Sequence, residues 1–165
     1  MTVPRADLVV TARARADRRT KDLVKRLEAG EIAVVNHSDI DLVAADALVD
    51  AGVVAVVNAA ESFTGRYPNL GPLQLVRHGV ILLDEVGLGV MELISEGEVV
   101  TIDGDRLLIA DDEVAVGHRQ NEDDLVARVS EARSNVGQQL ELFASNTLEY
   151  LRKERHLATD SPDLP

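Results

Sequence analysis

Hydrophobic positions fall into two regimes along the chain. In its first half, short unbroken apolar runs recur: Asp7 to Thr11, Glu31 to Asn36 (EIAVVN), Val53 to Asn58 (VVAVVN) and Val80 to Asp84 (VILLD). Runs without polar alternation predict strands buried on both faces, as in a parallel sheet. Helix signals lie between them. Asp17 or Thr20 can cap a helix through Leu27, with Gly30 behind it. Asp39 or Asp41 precedes a helix to about Ala51, closed by Gly52, and Pro72 suits the first turn of a helix ending at Gly79. The pattern then changes. Leu88 to Ile94 predicts a short helix, Glu98 to Asp103 and Arg106 to Ala110 flank Gly104-Asp105 as a hairpin, and Glu113 to His118 adds a strand.

From Asn121 onward the period is helical. Leu125, Val129, Ala132, Val136, Leu140, Phe143 and Leu151 form one stripe. At ~1.5 Å per residue, Glu122 to Arg155 spans roughly 50 Å. A domain of this size does not cover that length, so part of the stripe is expected to overhang and pack on another chain or a second copy. A helix folded back across the sheet is the competing reading. Gly137 weakens the middle and the spacing is not a clean heptad. Ala158 to Pro165 reads as a linker or frayed end. The expected organisation is an α/β domain over 1–120 with a basic N-terminal segment, a long amphipathic helix over 121–157 and a tail over 158–165.

Composition narrows the chemistry. Aromatic residues are 2% of the 165, so the core must be aliphatic and no platform exists for stacking bases. The net charge of −12 is uneven: Met1 to Leu27 holds eight basic and three acidic residues, the remainder nine and twenty-six. The basic head reads as a solvated helix face or as a patch for an anion or acidic partner. The acidic remainder argues against nucleic acid. Cysteine is absent, which excludes disulfides, thiolate catalysis and cysteine-based zinc sites. No apolar leader is visible, and the longest apolar stretch is broken by Asp46 and Asp50, so no membrane span is expected.

Two segments are candidates for a site. Asn58 to Pro72 (NAAESFTGRYPNLGP) follows a buried strand and precedes a helix, where open α/β sheets gather ligands. Asn58, Ser62, Thr64, Arg66, Tyr67 and Asn69 supply donors there, and Arg66 is suited to a phosphate or carboxylate. The competing reading is an ordered loop whose polar groups cap the sheet. Ala14 to Lys21 (ARADRRTK) brings Arg15, Arg18, Arg19 and Lys21, although Asp17 paired with a neighbouring arginine explains it more simply. His37, with Asp39 and Asp41 near, is a candidate base or a plain loop histidine. The histidines lack metal-ligand spacing, and no G-x-S-x-G occurs, so no metal or catalytic set is expected.

Two resemblances add to this. Glu31 to Ile109 resembles the swivelling β/β/α domain of phosphohistidine carriers, through the Gly30-led strand, the His78-Gly79-Val80 strand and the EGEVVTIDGD segment (Glu96 to Asp105). Asn69 and Leu70 stand where that family has its phosphorylated histidine, so the resemblance implies a scaffold without phosphotransfer. ARADRRTKDLVKRL (Ala14 to Leu27), NAAESFTGRYPNLGPL (Asn58 to Leu73) and NTLEYLRKER (Asn146 to Arg155) resemble the N-terminal region of the SteA family of actinobacteria. That resemblance implies a role in daughter-cell separation with the partner SteB. It also implies a thiamin pyrophosphokinase-like second domain, where any nucleotide would bind, and a C-terminal membrane anchor. Neither lies in this sequence, so no cofactor is expected here. The resemblance and the acidic composition imply a cytoplasmic location, at the inner face of the membrane or septum. The expected function is a non-catalytic interaction module forming a homodimer through the long helix. The alternative is a nucleotide- or phosphate-binding accessory domain.

Overall fold

The computed structural model describes residues 9–160, with side chains to 154. Strands β1 (Val9–Ala16), β2 (Ile32–Val35), β3 (Ala55–Asn58) and β4 (Ile81–Asp84) run parallel and lie side by side in chain order. Helices α1 (Thr20–Val24), α2 (Leu42–Asp50) and α3 (Gly71–Arg77) connect them. Crossovers that all step the same way share one hand, so all three helices land on one face. There Leu23, Leu48, Leu73 and Leu75 pack on Ala33, Val35, Val56 and Leu82.

The opposite face is closed differently. β1 changes partner along its length: Val9 to Arg13 pair antiparallel with β5 (Val99–Asp103), and Ala14 to Ala16 pair parallel with β2. β5 continues through β6 (Arg106–Ile109) to β7 (Asp112–Val116), with a register shift at Leu107/Leu108. This antiparallel unit and the short α4 (Val90–Leu93) cover the second face, where Ile32, Val34, Val57 and Leu83 meet Val90, Val100, Ile102 and Leu107. The result is an α/β fold in three layers, β/β/α, as the swivelling-type scaffold implies. β8 (His118–Arg119) closes the far edge against β4. The expected strand Glu113 to His118 is thus two, because β7 pairs with β6 and β8 with β4; Gly117 lies at the switch, where a Cβ would lie 2.5 Å from the Asp84 carbonyl oxygen.

Two further boundaries differ from the sequence-based expectation. β1 runs to Ala16, beyond Thr11, because alanines alternate with Arg13 and Arg15 at the period of a strand. Helix α1 is correspondingly short, and its N-cap is Arg19, without a side-chain cap; Asp17 instead accepts the Arg19 N–H at 2.9 Å. The cap of α2 is as expected: Asp41 accepts the Ala44 N–H at 2.8 Å. Of the expected first strand, residues 7 and 8 lie outside the described part.

Helix α5 spans Glu122–Asp160; residues 161–165 of the expected tail lie outside the described part. Its first turns are core: Leu125, Val129 and Ala132 are buried against the helical face. Burial of these three side chains contributes about 4 kcal/mol, enough to fix this end of the helix. Beyond Ala132 the same stripe emerges. Leu140, Phe143, Tyr150 and Leu151 are 62%, 69%, 61% and 55% exposed.

Two glycines separate packing from propensity. A Cβ on Gly71 would lie 1.9 Å from the Ile40 carbonyl oxygen, where α3 begins against the β2–α2 loop. Gly137 meets nothing within 4 Å. Gly71→Ala is expected to cost about 3 kcal/mol in urea unfolding. Gly137→Ala is expected to favour the helix by about 1 kcal/mol, visible as greater ellipticity at 222 nm on warming.

Candidate functional site

The loops after β1, β2, β3 and β4 leave from one end of the sheet, the carboxyl end where α/β proteins place ligands. The β3–α3 loop is built around the Asp84 carboxylate at the end of β4. Asp84 is fully buried and has no ion pair among the described residues. The Ser62 backbone N–H reaches both of its oxygens at 3.0 Å, the Ser62 hydroxyl donates to Oδ1 at 2.7 Å, and Gln120 Nε2 donates to Oδ2 at 3.1 Å. Several donors aimed at one carboxylate replace its hydration shell.

Asn58 extends the network. Its Nδ2 donates to Ser62 Oγ at 2.7 Å and to the His37 carbonyl at 2.8 Å, while its Oδ1 accepts the N–H of His37 and of Ala60, both at 3.0 Å. Asn69 Nδ2 donates to the Ile40 carbonyl at 2.9 Å, and its Oδ1 accepts the Gly71 N–H at 3.0 Å. Asp39, in the left-handed region at φ 54, accepts from the Thr64 N–H at 2.8 Å and the Thr64 hydroxyl at 2.7 Å. So Asn58, Ser62, Thr64 and Asn69 spend their polar groups inside the protein, and the capping reading of this loop describes them. Arg66 and Tyr67 are exposed. Partial desolvation of Tyr67, which is 40% exposed, and the carboxylates of Asp39 and Asp41 push its phenol up. Arg66 lines a crevice of about 400 Å³ shared with Asn135, Val136 and Leu142 of α5. Arg128 of α5 fastens the loop, donating to the Phe63 carbonyl at 2.8 Å with its guanidinium 4.8 Å from the Phe63 ring centroid.

The basic segment divides in two. Arg15 donates to Glu31 at 2.7 Å and Glu96 at 3.1 Å, and Arg26 pairs with Asp17 at 2.8 Å and Glu96 at 3.3 Å. Arg15 is therefore committed to an ion cluster, and it does not line the cleft between α1 and α2. Arg18, Arg19 and Lys21 have no side-chain ion pair among the described residues. With Thr20, Asn36, His37 and Asp41 they line a cleft of about 630 Å³ between α1 and α2, whose other wall is Val24, Val43, Ala44 and Ala47. Thus Arg19, Lys21 and His37 come together, away from Arg66. Arg18 belongs to the basic cluster read from Ala14 to Lys21; Asn36 was not singled out, and its place directly after the buried strand β2 is the signal that could have found it. His37 lies within hydrogen-bond distance of Thr20, Nδ1 to Oγ1 3.0 Å, and both its backbone polar groups are held by Asn58.

No protein-family model matches the chain, and no curated protein matches it. Seven solved chains do. One is 3-isopropylmalate dehydratase (leuD) from Methanocaldococcus jannaschii, at 13% identity and a TM-score of 0.42, covering 80% of this chain and 99% of that one. A likeness that weak bears on neither activity nor substrate. Among the described residues no group of histidines and acids is placed to hold a metal, and no helix is long and apolar enough to cross a membrane.

Two outcomes follow from this end of the sheet. Asp84→Ala leaves the Ser62 and Gln120 donors without a partner and is expected to lower stability by about 3 kcal/mol, whereas Ser62→Ala costs about 1 kcal/mol; chemical denaturation checks both. The second concerns pH. The Arg19 N–H and Arg26 hold Asp17 below its ordinary 3.8. Burial works against the charge of Glu31 and Glu96, but their arginine hydrogen bonds outweigh it and hold both below 4.5. Depressed carboxylates stabilise above their unfolded pKa and lose that contribution as pH falls through the folded one. The urea midpoint should therefore drop as pH is lowered below about 4.5, and Arg26→Ala should flatten that drop.

Proposed function

We propose that the chain is a non-catalytic assembly module that pairs with a second copy of itself through α5. The observation that carries this is the apolar stripe beyond Ala132. It continues the face that is core nearer the sheet, yet it is uncovered. Its charge favours a second copy. The whole chain carries −12, so identical domains repel. Residues 133–154 hold Arg133, Arg152 and Lys153 against Glu141, Glu149 and Glu154, and so carry no net charge. This is where two like chains approach without repulsion. Antiparallel pairing also opposes the helix dipoles and brings the acidic start of one helix toward the basic end of the other. The resemblance to the SteA family supports placing such a module in actinobacterial cell separation, with SteB as a further partner. The alternative, an anion-binding accessory domain, is favoured by the cationic cleft between α1 and α2.

The test leaves the core intact. The stripe is interrupted with Leu140→Glu and Phe143→Glu, which keep Leu125, Val129 and Ala132 in place. Light scattering should give a dimer for the intact chain and a folded monomer for the double variant. An intact chain that stays monomeric at the highest concentration reached overturns self-assembly. In an actinobacterial host, the double variant should leave daughter cells joined if cell separation depends on that pairing.

A further inference from the structure

We infer that the cleft between α1 and α2 binds an aliphatic phosphate monoester. Four observations carry this. The cleft stands at the carboxyl ends of β1 and β2, where loop backbone and side chains converge. Arg18, Arg19 and Lys21 supply three cations with no side-chain ion pair among the described residues, against one carboxylate. That carboxylate, Asp41, is occupied in capping α2. The lining is thus a positive island, with two charges in excess, on a chain of net charge −12, and it matches a dianion. A singly charged carboxylate would leave one cation unanswered.

His37 is the third observation. A loop histidine ordinarily moves with its loop. This one is held at both backbone polar groups by the fully buried Asn58, and its Nδ1 lies 3.0 Å from Thr20 Oγ1. The Nε2 atom has no partner among the described residues. An imidazole fixed in this way is preorganised to meet a phosphoryl oxygen without first being ordered.

The fourth is shape. The volume, about 630 Å³, is far larger than a phosphate group and lies in the range of organic ligands. The remaining wall is Val24, Val43, Ala44 and Ala47, which is aliphatic and carries no aromatic ring. It offers contact area to a hydrocarbon body and no surface on which to stack a base. The ligand is either a free alkyl or polyol phosphate or the phosphate headgroup of a lipid. This site deepens the accessory-domain reading and is independent of pairing through α5.

The experiment is an amide chemical-shift titration of the full chain with inorganic phosphate, n-butyl phosphate and adenosine monophosphate, and flotation with vesicles containing phosphatidic acid. Butyl phosphate should shift Arg19, Lys21 and His37 saturably and bind about tenfold more tightly than inorganic phosphate, the gain expected from burying part of the alkyl chain. Arg18→Ala/Arg19→Ala/Lys21→Ala changes three exposed side chains, so the fold should persist and the shifts vanish. Arg106→Ala, on the far antiparallel unit, is a charge control and should leave them intact. Butyl phosphate binding without flotation assigns a free metabolite. Flotation that the triple variant also loses assigns a lipid headgroup. No saturable shift by either phosphate below ~10 mM, tighter binding of adenosine monophosphate than of butyl phosphate, or shifts that survive in the triple variant overturns the site. Because the double variant Leu140→Glu/Phe143→Glu leaves the cleft untouched, repeating the titration on it separates failure of the cleft from failure of the dimer.

Discussion

A buried carboxylate held by neutral donors organises the carboxyl end of the parallel strands. Removing Asp84 from water is costly, and the cost is offset only by the donors that surround it. Those donors come from separate parts of the chain: Ser62 from the β3–α3 loop and Gln120 from the segment after β8. Asn58, at the end of β3, then links Ser62 to His37 after β2. One acid therefore fixes how three adjacent strand ends deliver their loops. Its partners are determined by geometry alone, because a neutral amide or hydroxyl works only within hydrogen-bonding distance, whereas a cation would attract from further away.

The second constraint is the change of partner along β1. A strand whose crossovers all step one way leaves one sheet face bare, because every helix falls on the other. The chain covers that face by sending the first half of β1 into an antiparallel unit with β5, β6 and β7. The alternation in Val9 to Ala16 permits this. The strand has alanines on one side and arginines on the other, so it can sit where two β layers meet without filling the space between them. Arg15 does not stay free: it reaches Glu31 and Glu96, tying the strand to the segment that leads into β5.

The parallel core was legible because buried strands show as unbroken aliphatic runs, and Asp41, Pro72 and Gly52 mark helix ends by local rules that tertiary contacts did not override. β1 was legible only in part. Its period-two pattern is written in alanine and arginine, and arginine density suggests a surface patch before it suggests a strand. The loop after β3 was recognisable as a special segment, but the direction of its side chains was not. Asn58, Ser62 and Asn69 are equally suited to a ligand and to a neighbouring backbone, and the groups they meet are distant in sequence: Asp84 for Ser62, the His37 backbone for Asn58 and the Ile40 carbonyl for Asn69. The cleft was less legible still. Its residues come from two stretches that are brought together by β1 and β2 lying side by side, and no spacing along the chain encodes that pairing.

The β3–α3 loop joins the two exposed features, touching His37 through Asn58 and α5 through the Phe63–Arg128 contact. Proximity of this kind invites the idea of communication between cleft and helix. The energetics argue otherwise. For an occupant of the cleft to move α5 through the loop, the loop would have to shift against the Ser62–Asp84 and Asn58 hydrogen bonds. Each of these costs about 1–3 kcal/mol to leave unmade in a buried setting. A small anion held by exposed side chains offers little differential affinity to set against several such losses. The network that positions both surfaces is therefore also what keeps them independent. Binding in the cleft and pairing along α5 should add with little coupling, because their common support is too well satisfied to adopt a second arrangement.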